Sequence, residues 1–180
     1  MAADLALRQK DYTAALEALA KLGPDAKGFS ADLTRGFALE GLQRLPEARA
    51  AFQQATAAAG TKEERRRALL ALGEAAKKAH DWNAARQAYQ SALEDDPGNP
   101  DLLRQLGLIA YAQKDFAASS QWLSQAQKIA PEPKDQEFLI NVWEANKDYQ
   151  AATSEIIKRL QDTANSQERY TLYIKLGNTY

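Results

Sequence analysis

A small residue followed four positions later by a large apolar residue recurs along this chain at intervals of 33 to 37 residues. The five copies of this pattern begin at Ala15, Ala48, Ala85, Ser119 and Ala152. Four of them follow a short segment in which an aspartate precedes an aromatic residue, as in His80-Asp81-Trp82. A fixed period in this range is typical of stacked helix-turn-helix units, in which each helix pair buries one face against its neighbours. The pattern therefore predicts an all-α chain built from helical hairpins.

The first helix of the clearest units carries a glycine inside an apolar stripe. Two copies of this arrangement are Leu69-x2-Leu72-Gly73-x2-Ala76 and Leu103-x2-Leu106-Gly107-x2-Ala110. Glycine inside a helix costs ~1 kcal/mol of helix propensity relative to alanine. We therefore expect a packing reason at Gly73, since a missing side chain lets the second helix of the hairpin approach closely. Pro97 and Pro131 end two of the units, because proline cannot continue a helix.

Taken together, these residues resemble the tetratricopeptide repeat. The resemblance extends over nearly the whole chain and is strongest at residues 69–97 and 103–131. It implies a right-handed superhelix, an α-solenoid of about five helix pairs plus a partial sixth. The fifth unit departs from the pattern because Ile140 stands where the glycine is expected, so we expect looser pairing of its two helices. Trp82 and Trp143 are predicted to lie in the core.

The repeat predicts one array without an internal linker. The predicted helices cover residues 2–10, 12–22, 30–43, 46–59, 62–79, 82–95, 100–113, 116–129, 134–146, 149–162 and 166–180. The predicted units cover residues 1–28, 29–65, 66–99, 100–132, 133–165 and, as a partial unit, 166–180. Neither end has the polar capping helix that normally closes a solenoid, which favours a fragment of a longer array. The alternative is a whole small protein whose uncapped ends associate with a second copy.

The charge balance argues against general binding to polyanions. The sequence contains 23 lysines and arginines against 24 aspartates and glutamates, for a net charge of -1, so no nucleic-acid partner is predicted. No segment is long and apolar enough to insert into a membrane, and no signal or transit peptide is visible. The absence of cysteine excludes disulfides, but it is compatible with both the cytoplasm and the bacterial periplasm.

No combination of residues predicts catalysis, a metal site or a cofactor. His80 is the only histidine and stands in the predicted turn between two helices, where a left-handed conformation is common. A zinc site needs about four ligands, and the sequence offers no second histidine and no cysteine. The charged run at residues 62–67 fits a solvated helix start with ion pairs at helical spacing. The carboxylates within residues 94–101 do not match the spacing of a calcium-binding loop. We therefore expect a protein that is not an enzyme.

The resemblance implies that the first helix of each unit lines a concave, partner-binding face. Residues on that face are spaced three or four apart, so that they share one side of each helix. They are Leu33, Phe37 and Glu40 in unit two, Arg67, Leu70, Glu74 and Lys77 in unit three, Arg104, Leu108 and Tyr111 in unit four, and Asn141 and Glu144 in unit five. This mixture of apolar anchors and charges suits an extended peptide or a partner helix. The competing interpretation is that these residues contact only the neighbouring unit.

The main functional prediction is a non-catalytic scaffold that binds another protein or peptide. A second interpretation comes from the Ala- and Gln-rich repeats, which resemble those of Gram-negative envelope proteins. In those proteins a periplasmic solenoid precedes an outer-membrane barrel that exports exopolysaccharide. That resemblance implies a periplasmic scaffold that docks polymer-modifying enzymes or other partners of polysaccharide export. The bacterial periplasm is the favoured location and the cytoplasm the alternative. A signal peptide before this segment and barrel strands after it would support the second interpretation.

Overall fold

The computed structural model describes residues 2–23 and 26–178, and within them the chain forms eleven α-helices and no strand. The helices are α1 (Ala2–Arg8), α2 (Tyr12–Lys21), α3 (Phe29–Gly41), α4 (Leu45–Ala58), α5 (Lys62–Lys78), α6 (Trp82–Asp95), α7 (Pro100–Ala112), α8 (Phe116–Ile129), α9 (Pro133–Ala145), α10 (Tyr149–Asp162) and α11 (Ser166–Asn178). The predicted all-α class is confirmed, and each predicted helix is present with small shifts at its ends. The predicted end of the last helix, at residues 179–180, lies outside the described residues.

The helices form two compact units. The first unit, Met1–Pro97, contains α1 to α6, and the second, Gly98–Tyr180, contains α7 to α11. Within each unit every helix packs against the next one along the chain. In the first unit, α3 also contacts both α1 and α5, so the first helices of successive hairpins lie side by side. The division into six repeat units within one array over residues 1–180 stays a prediction.

The turn inside each hairpin is built by one left-handed residue followed by a helix cap. Lys10, Gln43, His80, Lys114 and Lys147 have φ values between 55° and 61°, which confirms the turn predicted at His80. In four of these turns the next residue is an aspartate whose carboxylate accepts a hydrogen bond from the backbone N–H three residues later, at 3.0 to 3.1 Å. This bond satisfies an N–H that the first helical turn leaves without a partner. The recurring aspartate in the sequence is therefore an N-cap.

The helix glycines are contact points for the second helix of the same hairpin. A Cβ atom added at Gly73 would lie 2.8 Å from the ring of Tyr89, and one added at Gly107 would lie 2.6 Å from Leu123. Tyr89 and Leu123 are the large residues of the recurring pattern, and both are fully buried. The expected packing reason for Gly73 is therefore confirmed, because the ring occupies the space that a side chain would need.

In the fifth predicted repeat, residues 133–165, a side chain occupies the space between the two helices that glycine leaves open elsewhere. Ile140 is fully buried and packs in one cluster with Ala152 and Ile156. The helices α9 and α10 contact each other less extensively than α7 and α8 do, as expected when a side chain replaces the glycine. Trp143 packs against two core clusters, as predicted, but its side chain and that of Trp82 both remain partly exposed. The Trp82 ring contacts the ring of His80 in the preceding turn, with 5.5 Å between the centroids.

Candidate functional site

A groove in the first unit contains half of the residues predicted for the partner-binding face. It has a volume of about 390 Å³ and lies between α3 and α5. We call it the unit-1 groove, and its lining residues are Leu33, Phe37, Glu40, Arg67, Leu70, Ala71, Glu74 and Lys78. Residues three or four apart on one helix point to the same side, which explains why the two sets face each other across the groove. The structure therefore brings Leu33, Phe37, Glu40, Arg67, Leu70 and Glu74 together.

The floor of the unit-1 groove is apolar and anchored in the core. Leu33 and Ala71 are buried in the same core cluster, which also contains Phe52. Phe37 is 37% exposed, and its ring meets the Phe52 ring edge-on with 5.1 Å between the centroids. Phe37 thus presents one side of its ring to solvent while the other is held by packing. A pre-positioned aromatic surface of this kind gives contact area to a partner at little entropic cost.

The acidic groups of the unit-1 groove are already paired within the chain. Lys78 donates to Glu40 at 2.7 Å, and Lys77 donates to Glu74 at 3.1 Å. The hydroxyl of Tyr89 also donates to Glu74. Burial, together with this hydrogen bond, raises the pKa of Tyr89.

Lys77 was predicted to face the groove, but its amine lies 5.8 Å from the centroid of the Tyr89 ring, and Lys77 is not among the lining residues. Arg67 stays on the rim, with its guanidinium 5.7 Å from the centroid of the Phe29 ring.

A second depression continues the unit-1 groove towards α1. It has a volume of about 480 Å³ and shares Phe37, Glu40 and Lys78 with the unit-1 groove. Its other lining residues are Leu7, Arg8, Lys10, Tyr12, Gly41 and Gln43. We call this the α1 extension. Sequence reasoning missed it because α1 is short and carries no glycine-centred motif. The aromatic residue after Asp11 was the available signal, since the ring of Tyr12 lies against Gly41.

In the second unit, Tyr111 and Leu108 lie on the exposed surface of α7. The Tyr111 ring packs between two other aromatic rings, with 5.4 Å to the centroid of Phe116 and 4.9 Å to that of Phe138. Further along the unit, the side-chain oxygen of Asn141 accepts a hydrogen bond from Lys175 at 2.6 Å. Glu144 is half-buried on α9. Of these four predicted residues, Leu108 and Tyr111 present the larger apolar surface to solvent.

Arg104 was predicted to contact a partner, but its side chain is mostly buried and bonded within the chain. Its side chain is 12% exposed, and its guanidinium donates to Asp135 at 2.6 Å and to Asp101 at 2.8 Å. It also donates to the carbonyl of Ala130 at 2.7 Å and pairs with Glu132 at 3.1 Å. These contacts join α7 to the start of α9 and to the segment that precedes it. The bonds hold the second unit together and leave Arg104 little capacity for a partner.

Comparison with known proteins identifies the repeat. Residues 70–132 match the family model described as Tetratricopeptide repeat. The match covers about a third of the chain and shows that this segment is similar to the tetratricopeptide repeat. No curated protein sequence matches the chain. The matched segment contains Gly73 and Gly107 together with Tyr89 and Leu123, which pack against them.

Solved structures extend the tetratricopeptide fold over most of the chain. The C-terminal part of a tetratricopeptide repeat-containing protein from Cytophaga hutchinsonii matches with a TM-score of 0.75 and 21% identity, over 98% of this chain and 68% of that one. PilF of Pseudomonas aeruginosa matches with a TM-score of 0.67 and 16% identity, over 96% and 78% of the two chains. PilW, a type IV pilus biogenesis factor, matches with a TM-score of 0.69 and 19% identity, over 96% and 80%. At these identities the likeness shows the fold, and the predicted helical solenoid is confirmed.

Proteins with this tetratricopeptide architecture are generally scaffolds for protein–protein interaction and generally lack catalytic activity. Among the described residues, no group of three or more histidine, cysteine, aspartate or glutamate side chains could hold a metal ion. In the same part of the chain, none of the helices has the length and apolar character needed to cross a membrane. The unit-1 groove and its α1 extension combine apolar and charged lining residues.

Proposed function

We propose that this chain is a non-catalytic scaffold that binds a partner protein or peptide through the first helices of its hairpins. The observation that carries the proposal is the unit-1 groove, in which an apolar floor is framed by charged side chains. Apolar anchors in a groove with a polar rim are the usual arrangement of an interface that recognises an extended segment or a helix. The internally paired Glu40 and Glu74 add no unpaired negative charge that a partner would have to neutralise.

In the second unit, Leu108 and Tyr111 are proposed as a further contact patch for the same partner class. Both are exposed, and Tyr111 is held in place by Phe116 and Phe138. Asn141 and Glu144 are proposed as polar contacts on α9. Arg104 is proposed to support this patch through its bonds to α9 and not to contact the partner itself.

Affinity capture with the purified chain as bait tests the proposal. The test variant replaces Phe37 and Leu70 by alanine, which removes the exposed apolar surface of the groove. Leu22→Ala is the matched control, because Leu22 is 60% exposed in the same unit but does not line the groove. We expect the wild type and the control to retain the same proteins and the double variant to lose them. Identical capture by all three baits would reject the unit-1 groove as the binding surface.

A periplasmic scaffold for exopolysaccharide export is the alternative, with docking of polysaccharide-modifying enzymes as its specific role. It is supported by the Ala- and Gln-rich composition of the repeats, which resembles that of such envelope proteins. Cell fractionation with an antibody against this segment tests it. Recovery in the periplasm or outer membrane would favour the alternative, and recovery in the cytoplasm would exclude it. Either result is compatible with binding through the first-helix face.

A further inference from the structure

The cations and anions around the unit-1 groove and its α1 extension are not equally engaged. The two acidic groups are neutralised by Lys78 and Lys77. In the α1 extension, by contrast, the side chains of Arg8 and Lys10 form no ion pair or hydrogen bond with any described residue. Arg8 is within electrostatic reach of Asp4, but the carboxylate of Asp4 accepts its hydrogen bond from the Thr34 hydroxyl at 2.9 Å. Positive charge is therefore concentrated where the groove approaches α1.

The charge is also placed in a fixed order along the groove. Arg8 and Lys10 lie at the α1 end, Lys78 lies where the α1 extension and the unit-1 groove meet, and Leu70 and Arg67 line the part away from α1. Phe37 is shared by both depressions and lies between the two cations of the α1 extension and Leu70. A bound segment would therefore meet cations first and an apolar surface next.

We propose that the occupant of this groove is an acidic peptide segment of a partner protein, with its carboxylates at Arg8 and Lys10 and a large apolar side chain on Phe37 and Leu70. This inference rests on the proposed function and specifies the chemistry of the partner. Carboxylates gain charge-assisted hydrogen bonds from Arg8 and Lys10 without breaking existing pairs. A basic segment would be repelled by the same side chains, so the groove selects against it. Lys78 lies between the two contacts, and its ion pair with Glu40 leaves the charge there balanced.

Selection from a random-peptide library displayed on phage, with the intact chain as bait, tests this directly. We expect the recovered peptides to be enriched in aspartate and glutamate next to leucine, phenylalanine or tryptophan. A recovered peptide is then labelled with fluorescein and its affinity is measured by anisotropy at low and high NaCl concentration. Since exposed charges are screened by salt, we expect the affinity to fall as the NaCl concentration rises.

Four variants separate the contributions to binding. Lys10→Glu, Arg8→Gln and Phe37→Ala should each weaken binding of the labelled peptide, with a loss of roughly tenfold for the charge reversal at Lys10. Lys21→Glu is the matched control, because Lys21 is exposed on α2 outside both depressions, and it should bind like the wild type. Circular dichroism melting curves confirm that each variant is folded, and Lys10→Gln replaces Lys10→Glu if the latter is not.

The outcomes distinguish this inference from the proposed function. If Phe37→Ala weakens binding while the variants at Lys10 and Arg8 do not, the acidic preference is wrong and the binding groove stands. If neutral or basic peptides are recovered and their binding still requires Phe37, the acidic preference is likewise wrong and the groove again stands. If no peptide is recovered, or if all variants bind like the wild type, the inference and the proposed groove fail together.

Discussion

Single residues decide how closely the helices of each hairpin approach. A Cβ atom at Gly107 would be 2.6 Å from Leu123, so the Gly107→Ala variant must displace a fully buried side chain. Overpacking of this kind costs about 1–3 kcal/mol, against a gain of ~1 kcal/mol in helix propensity. We expect a net loss of stability in urea unfolding. Gly98→Ala is the control, because no described atom lies within 4 Å of its added Cβ. Equal stability of the two variants would contradict the close-approach argument.

Asp4 gives the first unit a pH-dependent contribution to stability. The hydrogen bond from Thr34 lowers the pKa of this carboxyl below its ordinary value of 3.8. The stabilisation is therefore complete above that value and is lost as the pH falls through the lower pKa of the folded state. We expect Thr34→Val to cost about 1 kcal/mol of unfolding free energy at neutral pH, with the difference from the wild type narrowing in acid.

The matched control for this titration is Thr56→Val. The hydroxyl of Thr56 donates to the backbone carbonyl of Phe52 at 2.9 Å, so its contribution has no carboxylate to titrate. The Thr56→Val substitution should change the unfolding free energy by the same amount at neutral and at acidic pH. A Thr34→Val difference that is equally independent of pH would show that Asp4 does not contribute in this way.

At the scale of elements, Arg104 fixes the start of α9 against α7. Removing its guanidinium leaves Asp135, which is mostly buried, and the Ala130 carbonyl without their donor. We expect Arg104→Ala to lower the unfolding free energy of the chain by about 2 kcal/mol. Arg67→Ala should change it by less than about 0.5 kcal/mol, because Arg67 is exposed and its guanidinium only lies over a ring. Similar melting temperatures for the two variants would refute the structural role of Arg104.

The role of Arg104 shows where sequence reasoning at the element scale ends. Helical spacing places this arginine on the same side of α7 as Leu108 and Tyr111, and that placement led to its predicted binding role. Its acceptors Ala130 and Asp135 lie 26 and 31 residues further along the chain. Nothing in the local pattern identifies partners at that separation. The glycine contacts, by contrast, were predictable because glycine inside an apolar helical stripe has a cost that only close packing offsets.

For the whole molecule, the repeat period was sufficient to predict the fold. The positions of the hairpins follow from the spacing of the small residues Ala15, Ala48, Ala85, Ser119 and Ala152. The large residue four positions after Ala48, Ala85 or Ser119 packs against the glycine of the first helix in the same hairpin. The binding face was only partly predictable. Residues in well-formed motifs were found, such as Phe37 and Leu70. Arg8 was missed because α1 contains seven residues and has no glycine motif, and Lys10 was missed because it lies in the turn after α1 and not on a first helix. Function depends on side chains that the repeat leaves variable, so a repeat pattern alone underdetermines it.

Hydrogen–deuterium exchange of the whole chain, with and without a bound acidic peptide recovered by display, is the most direct test of the first-helix face as the binding surface. A peptide in the groove shields α3 and α5 from opening, so the account predicts slower exchange at 29–41 and 62–78. The second helices of the same hairpins, at 45–58 and 82–95, should show smaller changes. Protection confined to those second helices, with none at 29–41 or 62–78, would contradict the account.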